Sequence, residues 1–204
     1  MAVTPNYSWP VPLDTAYVKD GAEAIKDLGD AIDATVFGLP APASGLTLIN
    51  ATTITAQPSL ILSNIFTSTY SRYRIMFDCI SSDANQIIAL RFRENLTDKA
   101  TGYQGGIGEV AYNAATTFTG MSGATYFNVM TNVNIAVPSI ISLDLYRSAT
   151  LGSITGSGFN DQSGKAMFIG GNQQSMTNFT GFSLFPANTG TITGSVKVYG
   201  YQES

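Results

Sequence analysis

The chain contains no histidine and a single cysteine, and only 12% of its 204 residues are charged. Without histidine there is no Ser-His or Cys-His nucleophile pair, no His-ligated zinc site, and the commonest general base is missing. A lone cysteine, Cys79, excludes an intrachain disulfide and a thiolate metal cluster. It sits in the alternation YRIMFDCI, where Tyr73, Ile75, Phe77 and Cys79 share a face, so an inert buried thiol is expected. No apolar run approaches the length of a membrane span, so no membrane insertion is expected. The opening MAVTPNYSWP has neither the basic nor the apolar region of a signal peptide. A net charge of −4 argues against nucleic acid or an anionic membrane as the main partner.

What charge there is lies unevenly. Residues 1–45 carry Lys19 and Lys26 against Asp14, Asp20, Glu23, Asp27, Asp30 and Asp33, which accounts for the whole net charge of −4. The remaining residues hold eight basic and eight acidic side chains. This compositional break suggests an N-terminal segment at 1–37, a linker at 38–46 rich in Gly, Pro and Ser, and a main domain at 47–204. A hydrophobic share of 44% beside so little charge reads as a surface covered in part by neighbours.

Pro5, Pro10 and Pro12 forbid a helix in the first segment and favour an extended arm holding out Tyr7 and Trp9, the only tryptophan. Such aromatics dominate interface hot spots, so Tyr7, Trp9, Pro10 and Pro12 are candidates for docking onto a partner. An arm folded back onto its own domain is the plainer alternative. Residues 14–36 read as one helix, with Asp14 as N-cap and an internal capping-box pattern at Asp20 and Glu23 that could restart it. Val18, Ile25 and Ile32 recur every seven residues with Leu28 between them, while every charge from Lys19 onward falls on the other side. Ala22, Ala24, Gly29, Ala31 and Val36 widen the apolar face with small, neutral residues. A two-stranded coiled coil would place charges there, so the face suits a bundle of three or more strands, or packing onto a large surface.

Past the linker the period is that of strands. Ile88, Leu90 and Phe92 alternate with Arg91 and Arg93; Ile141, Leu143 and Leu145 alternate with Ser142, Asp144 and Tyr146; Ile192, Val196 and Val198 alternate with Thr193, Ser195, Lys197 and Tyr199. One apolar and one polar face per strand is the mark of antiparallel sheets in a two-layer stack. Further short strands are expected near 47–56, 59–66, 107–112, 125–130, 151–157, 165–170 and 179–185. The expected fold is mainly β, an antiparallel β-sandwich of jelly-roll type behind an extended arm and one short helix.

Catalytic motifs are absent or incomplete. GSGFNDQSGKA at 156–166 lacks the spacing and following helix of a phosphate loop and reads as a Gly-rich hairpin loop. GYQGGIGEV at 102–110 lacks the helix and acidic residue of a dinucleotide site and reads as a loop or bulged strand. Glu94, Asp98, Glu109 and Asp161 could furnish a glycosidase pair, but nothing brings two together, and salt bridges with Arg91, Arg93 and Lys99 explain the first two. No enzyme, metal or cofactor is expected. Two long stretches rich in Tyr, Asn, Gln, Ser and Gly offer Tyr103, Tyr112, Phe159 and Asn160 as candidate binding residues on distal loops.

NYSWPVPLDTAYVKDGAEAIKDLGDAID resembles the opening of many tailed-bacteriophage virion proteins, in which a W-P-x-P arm leads into a V-K-D-G-A-x-A-I helix. SLILSNIFTSTYSRYRIMFD is similar to an interior strand of the same proteins, and GTITGSVKVYGYQ to their closing strand. The resemblance covers both ends and one interior strand and brings no catalytic residues. It implies a virion structural protein, a tail fibre or tail-associated fibre that is a homotrimer and is anchored to another virion protein through residues 1–37. A host-surface glycan or protein is the implied further partner. A head fibre or decoration protein without a receptor is the alternative, and a soluble lectin or a depolymerase are further ones.

Overall fold

A computed structural model describes residues 2–11, 17, 20–38, 45–111, 115–133, 138–147, 152–160, 164–174 and 178–202. The chain forms two compact units, Met1–Ala43 and Ser44–Ser204.

In the first unit, β1 (Ala2–Val3) and β2 (Pro10–Val11) pair as an antiparallel hairpin ahead of the helix α1 (Gly21–Gly38). The expected extended arm is therefore folded on itself. Pro5 pre-sets the turn, and Ser8, with φ 53°, closes it in the left-handed region. The Thr4 and Trp9 backbones then bond across, Thr4 N–H donating to Trp9 O at 2.9 Å. The helix also starts later than expected. Tyr17 is not helical and its carbonyl accepts from Asp20 N–H, so Asp20 and Glu23 open the helix. Pro12, Val18 and Asp14 lie outside the described residues.

The second unit is all β. Its strands are β3 (Leu46–Gln57), β4 (Leu60–Leu62), β5 (Arg72–Ser82), β6 (Gln86–Glu94), β7 (Thr97–Asp98), β8 (Tyr103–Ala111), β9 (Thr117–Ala124), β10 (Phe127–Val133), β11 (Ser139–Arg147), β12 (Gly152–Asn160), β13 (Lys165–Gln173), β14 (Gly181–Pro186) and β15 (Ile192–Tyr201). They form an eight-stranded sheet, β3-β15-β5-β11-β12-β13-β8-β9, and a smaller sheet, β10-β6-β14-β4, with β7 on β6. Without β7, β8, β9, β12 and β13, the strands interleave as β3-β15-β5-β11 over β4-β14-β6-β10, the strand order of a jelly roll. The hairpins β8–β9 and β12–β13 are insertions between β6 and β10 and between β11 and β14, and together they double the width of one sheet.

The expected inward residues are where alternation puts them: Ile88, Leu90, Phe92, Ile141, Leu143, Leu145, Ile192, Val196 and Val198 are all buried. Cys79 is the exception. It is exposed, with φ 53°, because β5 carries one extra residue against both neighbours: Phe77 and Ile80 pair with Ile141 and Ser139, and Asp78 and Ser81 with Ser195 and Thr193. A β-bulge of this kind throws one side chain out and hands the inward position to the next residue, Ile80. The expected buried thiol is corrected accordingly. GYQGGIGEV lies almost wholly in β8, with a register shift between Tyr103 and Gly105, and of the stretch 156–166 the residues 156–160 belong to β12 and 165–166 to β13, which pair, while 161–163 lie outside the described residues.

An aromatic seam ties the layers together. Phe66 meets Tyr73 at 4.6 Å and Phe179 at 5.7 Å, Phe179 stacks on Phe92 at 4.5 Å, Phe92 meets Phe127 at 5.7 Å, and Phe127 meets Tyr103 at 4.7 Å. Tyr103 is fully buried. Its hydroxyl accepts from Phe92 N–H and donates to the Lys99 carbonyl, both at 2.9 Å, and burial pushes its phenol far above its ordinary value. Tyr103→Phe keeps the ring but leaves Phe92 N–H and Lys99 O without this partner. The expected cost is about 1–3 kcal/mol, read by denaturant unfolding, and an unchanged midpoint would show that these bonds add nothing net.

Candidate functional site

The N-terminal unit uses part of its own apolar surface. Strand β2 packs against α1, and the Trp9 indole N–H donates to Thr35 Oγ1 at 2.9 Å. Thr35 in turn donates to the Ala31 carbonyl, and Tyr7 stacks on Trp9 with ring centroids 5.1 Å apart. Trp9, Pro10, Leu28 and Ile32 are half-buried, whereas Tyr7 and Ile25 are 62% and 67% exposed. Half-buried positions follow Ala24, Leu28, Ala31, Ile32 and Thr35, while Ala22, Ile25, Gly29 and Val36 stay exposed. The wide face expected from the heptads is thus split into a stripe holding the Trp9 acceptor and an adjacent open stripe. No residue of α1 is fully buried.

The four candidate distal-loop residues do not form one site. Tyr103 and Asn160 are fully buried strand residues, Asn160 Nδ2 donating to the Thr131 carbonyl, so neither offers a side chain to an outside ligand. Phe159 is half-exposed on the outer face of the large sheet, and Tyr112 lies outside the described residues. Glycine-rich composition had suggested loops where the chain builds strands.

That outer face carries what sequence reading missed. Antiparallel register places Phe168, Gly108 and Phe118 in one row across β13, β8 and β9, and Gly170, Gly106 and Gly120 in the next. The Phe118 ring occupies the space above Gly108: a Cβ there would come within 2.6 Å of it. The glycine row floors a hollow of about 460 Å³ walled by Phe118 and Phe168. On the other side of Phe168, Ile140, Phe159 and Ala166 line a second hollow of about 440 Å³. Phe118 is 81% and Phe168 55% exposed, and neither hollow is lined by a charged side chain. The signal was present as F-T-G-M-S-G and M-F-I-G-G, strands with glycine where alternation needs a side chain.

Toward β5 and β15 the same face becomes polar. Arg74 makes a two-pronged bond to Asp144, Nε to Oδ1 at 2.8 Å and Nη2 to Oδ2 at 2.7 Å, and the Tyr201 hydroxyl donates to Asp144 Oδ1 at 2.7 Å. These bonds, Arg74 foremost, hold the Asp144 carboxyl below its usual range; burial and the bond to Asp144 push the Tyr201 phenol up. Elsewhere, Lys197 pairs with Asp78 and Lys165 with Glu109, each at 2.9 Å, and Arg93 pairs with Asp98. Arg91 bonds the Thr125 carbonyl instead of a carboxylate and lies over the Phe185 ring. Among the described residues no three His, Cys, Asp or Glu side chains cluster as metal ligands. Asp161 lies outside the described residues.

Compared with known proteins, the chain matches no family model and no curated protein.

The sole tryptophan reports on the arm. Thr35→Val removes the indole's acceptor and is expected to raise acrylamide quenching of Trp9; unchanged quenching would mean that the bond does not hold the hairpin. The Asp144 cluster gives a pH dependence at both ends. A depressed carboxyl stabilises the fold above its unfolded value and loses that contribution as pH falls through the lower folded value. A raised phenol stabilises below its unfolded value and loses it as pH climbs through the higher one. The thermal midpoint should therefore fall in acid and in strong alkali, and Asp144→Asn should flatten both limbs; an exposed network of this kind contributes on the order of 1 kcal/mol.

Proposed function

We propose that this chain is a bacteriophage virion structural protein, a trimeric tail-associated fibre fixed to the particle through residues 1–37 with its β unit projecting from the attachment point. The observation that carries the reading is the open stripe of α1. Ile25, at 67% exposure, and Val36, at 59%, stand uncovered on a helix with no buried residue, in a unit separate from the β-sandwich. A helix of 18 residues with Gly29 in its interior and a glycine at each end is marginal unless its apolar face is packed. The small side chains along that stripe allow close approach by helices on two flanks, as three copies about an axis would provide. Tyr7, stacked on Trp9 and exposed on its other side, supplies an aromatic contact for the particle.

The outer face of the large sheet supports the same reading. Phe118, Phe168, Phe159 and Ile140 stand on an uncharged surface beside bare backbone, a combination suited to burial against another copy of the chain. The resemblance of both chain ends to phage virion proteins supports the particle as the place of assembly.

Light scattering on the intact protein at micromolar concentration should give the mass of three chains, and Ile25→Asp with Val36→Asp should reduce it to one. A clean monomer from the unaltered chain would end the trimer reading. Imaging of the particle with the chain located should place residues 1–37 at its surface; an N-terminus pointing into solvent would overturn the attachment.

A further inference from the structure

A concavity on the polar part of the outer sheet face is unlike the hollows beside Phe168. It measures about 380 Å³ and is lined by Arg72, Asp144, Tyr146, Ser153, Thr155 and Tyr201, with Leu145 and Ile154 behind them. Its size falls within the range of small-molecule sites. Register explains its composition. Arg72, Tyr146 and Ser153 form one row across β5, β11 and β12, and Arg74, Asp144 and Thr155 form the next. Tyr201, at the end of β15, reaches the same place and bonds Asp144.

The charges in this cluster do not cancel. Arg74 is committed to Asp144 by two hydrogen bonds, which leaves the Arg72 guanidinium as the surplus cation. Arg72 is exposed, and among the described residues it has no carboxylate partner; it lies over the Tyr146 ring, 5.7 Å from the centroid. A guanidinium held over an aromatic ring by the cation–π attraction still has N–H groups to offer, and these can take a carboxylate on two parallel hydrogen bonds. Beside it are half-exposed Tyr146, an apolar plane, and the hydroxyls of Ser153 and Thr155, which can both donate and accept. A phosphate would use the cation and accept from the hydroxyls but leave the ring idle. A neutral sugar would use the ring and hydroxyls and leave the cation idle.

We propose that this hollow is a binding site for a carboxylate-bearing sugar ring of the uronic-acid class. The carboxylate lies on Arg72, the apolar face of the ring against Tyr146, and ring hydroxyls on Ser153 and Thr155. Arg74, Asp144 and Tyr201 are positioning residues that hold the wall rigid. The site needs neither the particle nor a trimer, so its test is independent of the virion reading.

Saturation-transfer NMR on the full chain with D-glucuronate should give saturable transfer that D-glucose and inorganic phosphate give more weakly. Arg72→Gln should weaken glucuronate binding by about tenfold or more, toward the level of glucose. Tyr146→Leu, which keeps bulk but removes the ring, and Thr155→Val, on an exposed position, should each weaken both sugars. Absence of saturable transfer from glucuronate would overturn the proposal. So would glucose binding as well as glucuronate, phosphate binding as well with the same dependence on Arg72, or indifference of glucuronate to Arg72→Gln in a variant whose unfolding matches the parent.

Discussion

Everything in the β unit hangs on the aromatic seam running from Tyr73 to Tyr103. The large sheet has eight strands and the covering sheet has four, plus the short β7, so a plain sandwich would leave half of the large sheet's inner face wet. The seam removes that problem. Phe92 on β6 and Phe127 on β10 turn toward Tyr103 on β8, and β10 also contacts β12 and β13. One strand of the small sheet thereby covers three inserted strands of the large one. The buried Tyr103 hydroxyl adds direction, because it bonds the backbone of the small sheet at Phe92 and of the approach to β8 at Lys99. Aromatic pairs contribute beyond the area they bury, and a seam that also meets polar demands fixes one register rather than several.

The strongly alternating strands could be read from residues alone. Ile88, Leu90 and Phe92, or Ile141, Leu143 and Leu145, leave little freedom about which face is inside. What escaped the reading had a common physical cause, the replacement of a side chain by backbone. Strand β9, TFTGMSGA, has no usable alternation because its outward positions include Gly120 and because Thr119 is exposed beside its neighbours. Tyr103 and Asn160 looked like loop residues because the strands that carry them are full of glycine. The bulge at Cys79 was invisible for a different reason. Period-two reasoning cannot know where two neighbouring strands skip a partner, and skipping one residue inverts the rest of the strand. The hairpin of the arm could not be read either, since prolines limit conformation without saying what the chain folds against.

The candidate surfaces were legible in proportion to how local they are. The apolar stripe of α1 follows from spacing within one helix, and Ile25 stands where that spacing puts it. Spacing marks Trp9 as a candidate for docking, whereas the partner of its indole N–H is Thr35, 26 residues away, a pairing only the folded unit reveals. The hollow around Arg72 draws on β5, β11, β12 and β15, and no stretch of sequence contains it. It exists because register sets Arg72 beside Tyr146 while the adjacent row consumes Arg74.

The distribution of charge links these surfaces. In the β unit four of the eight arginines and lysines are paired with carboxylates: Arg74 with Asp144, Arg93 with Asp98, Lys165 with Glu109 and Lys197 with Asp78. Equal numbers of acidic and basic side chains make the unit neutral as a whole, and no charged side chain lines the hollows beside Phe118 and Phe168. The net negative charge lies instead on the helical unit, away from the apolar stripe, at exposed positions such as Glu23, Asp30 and Asp33. Helices gathered by their apolar stripes would turn those carboxylates outward, where water and salt screen their repulsion. Against that neutral background the Arg72 guanidinium, which has no carboxylate partner among the described residues, lies over the Tyr146 ring beside the hollow.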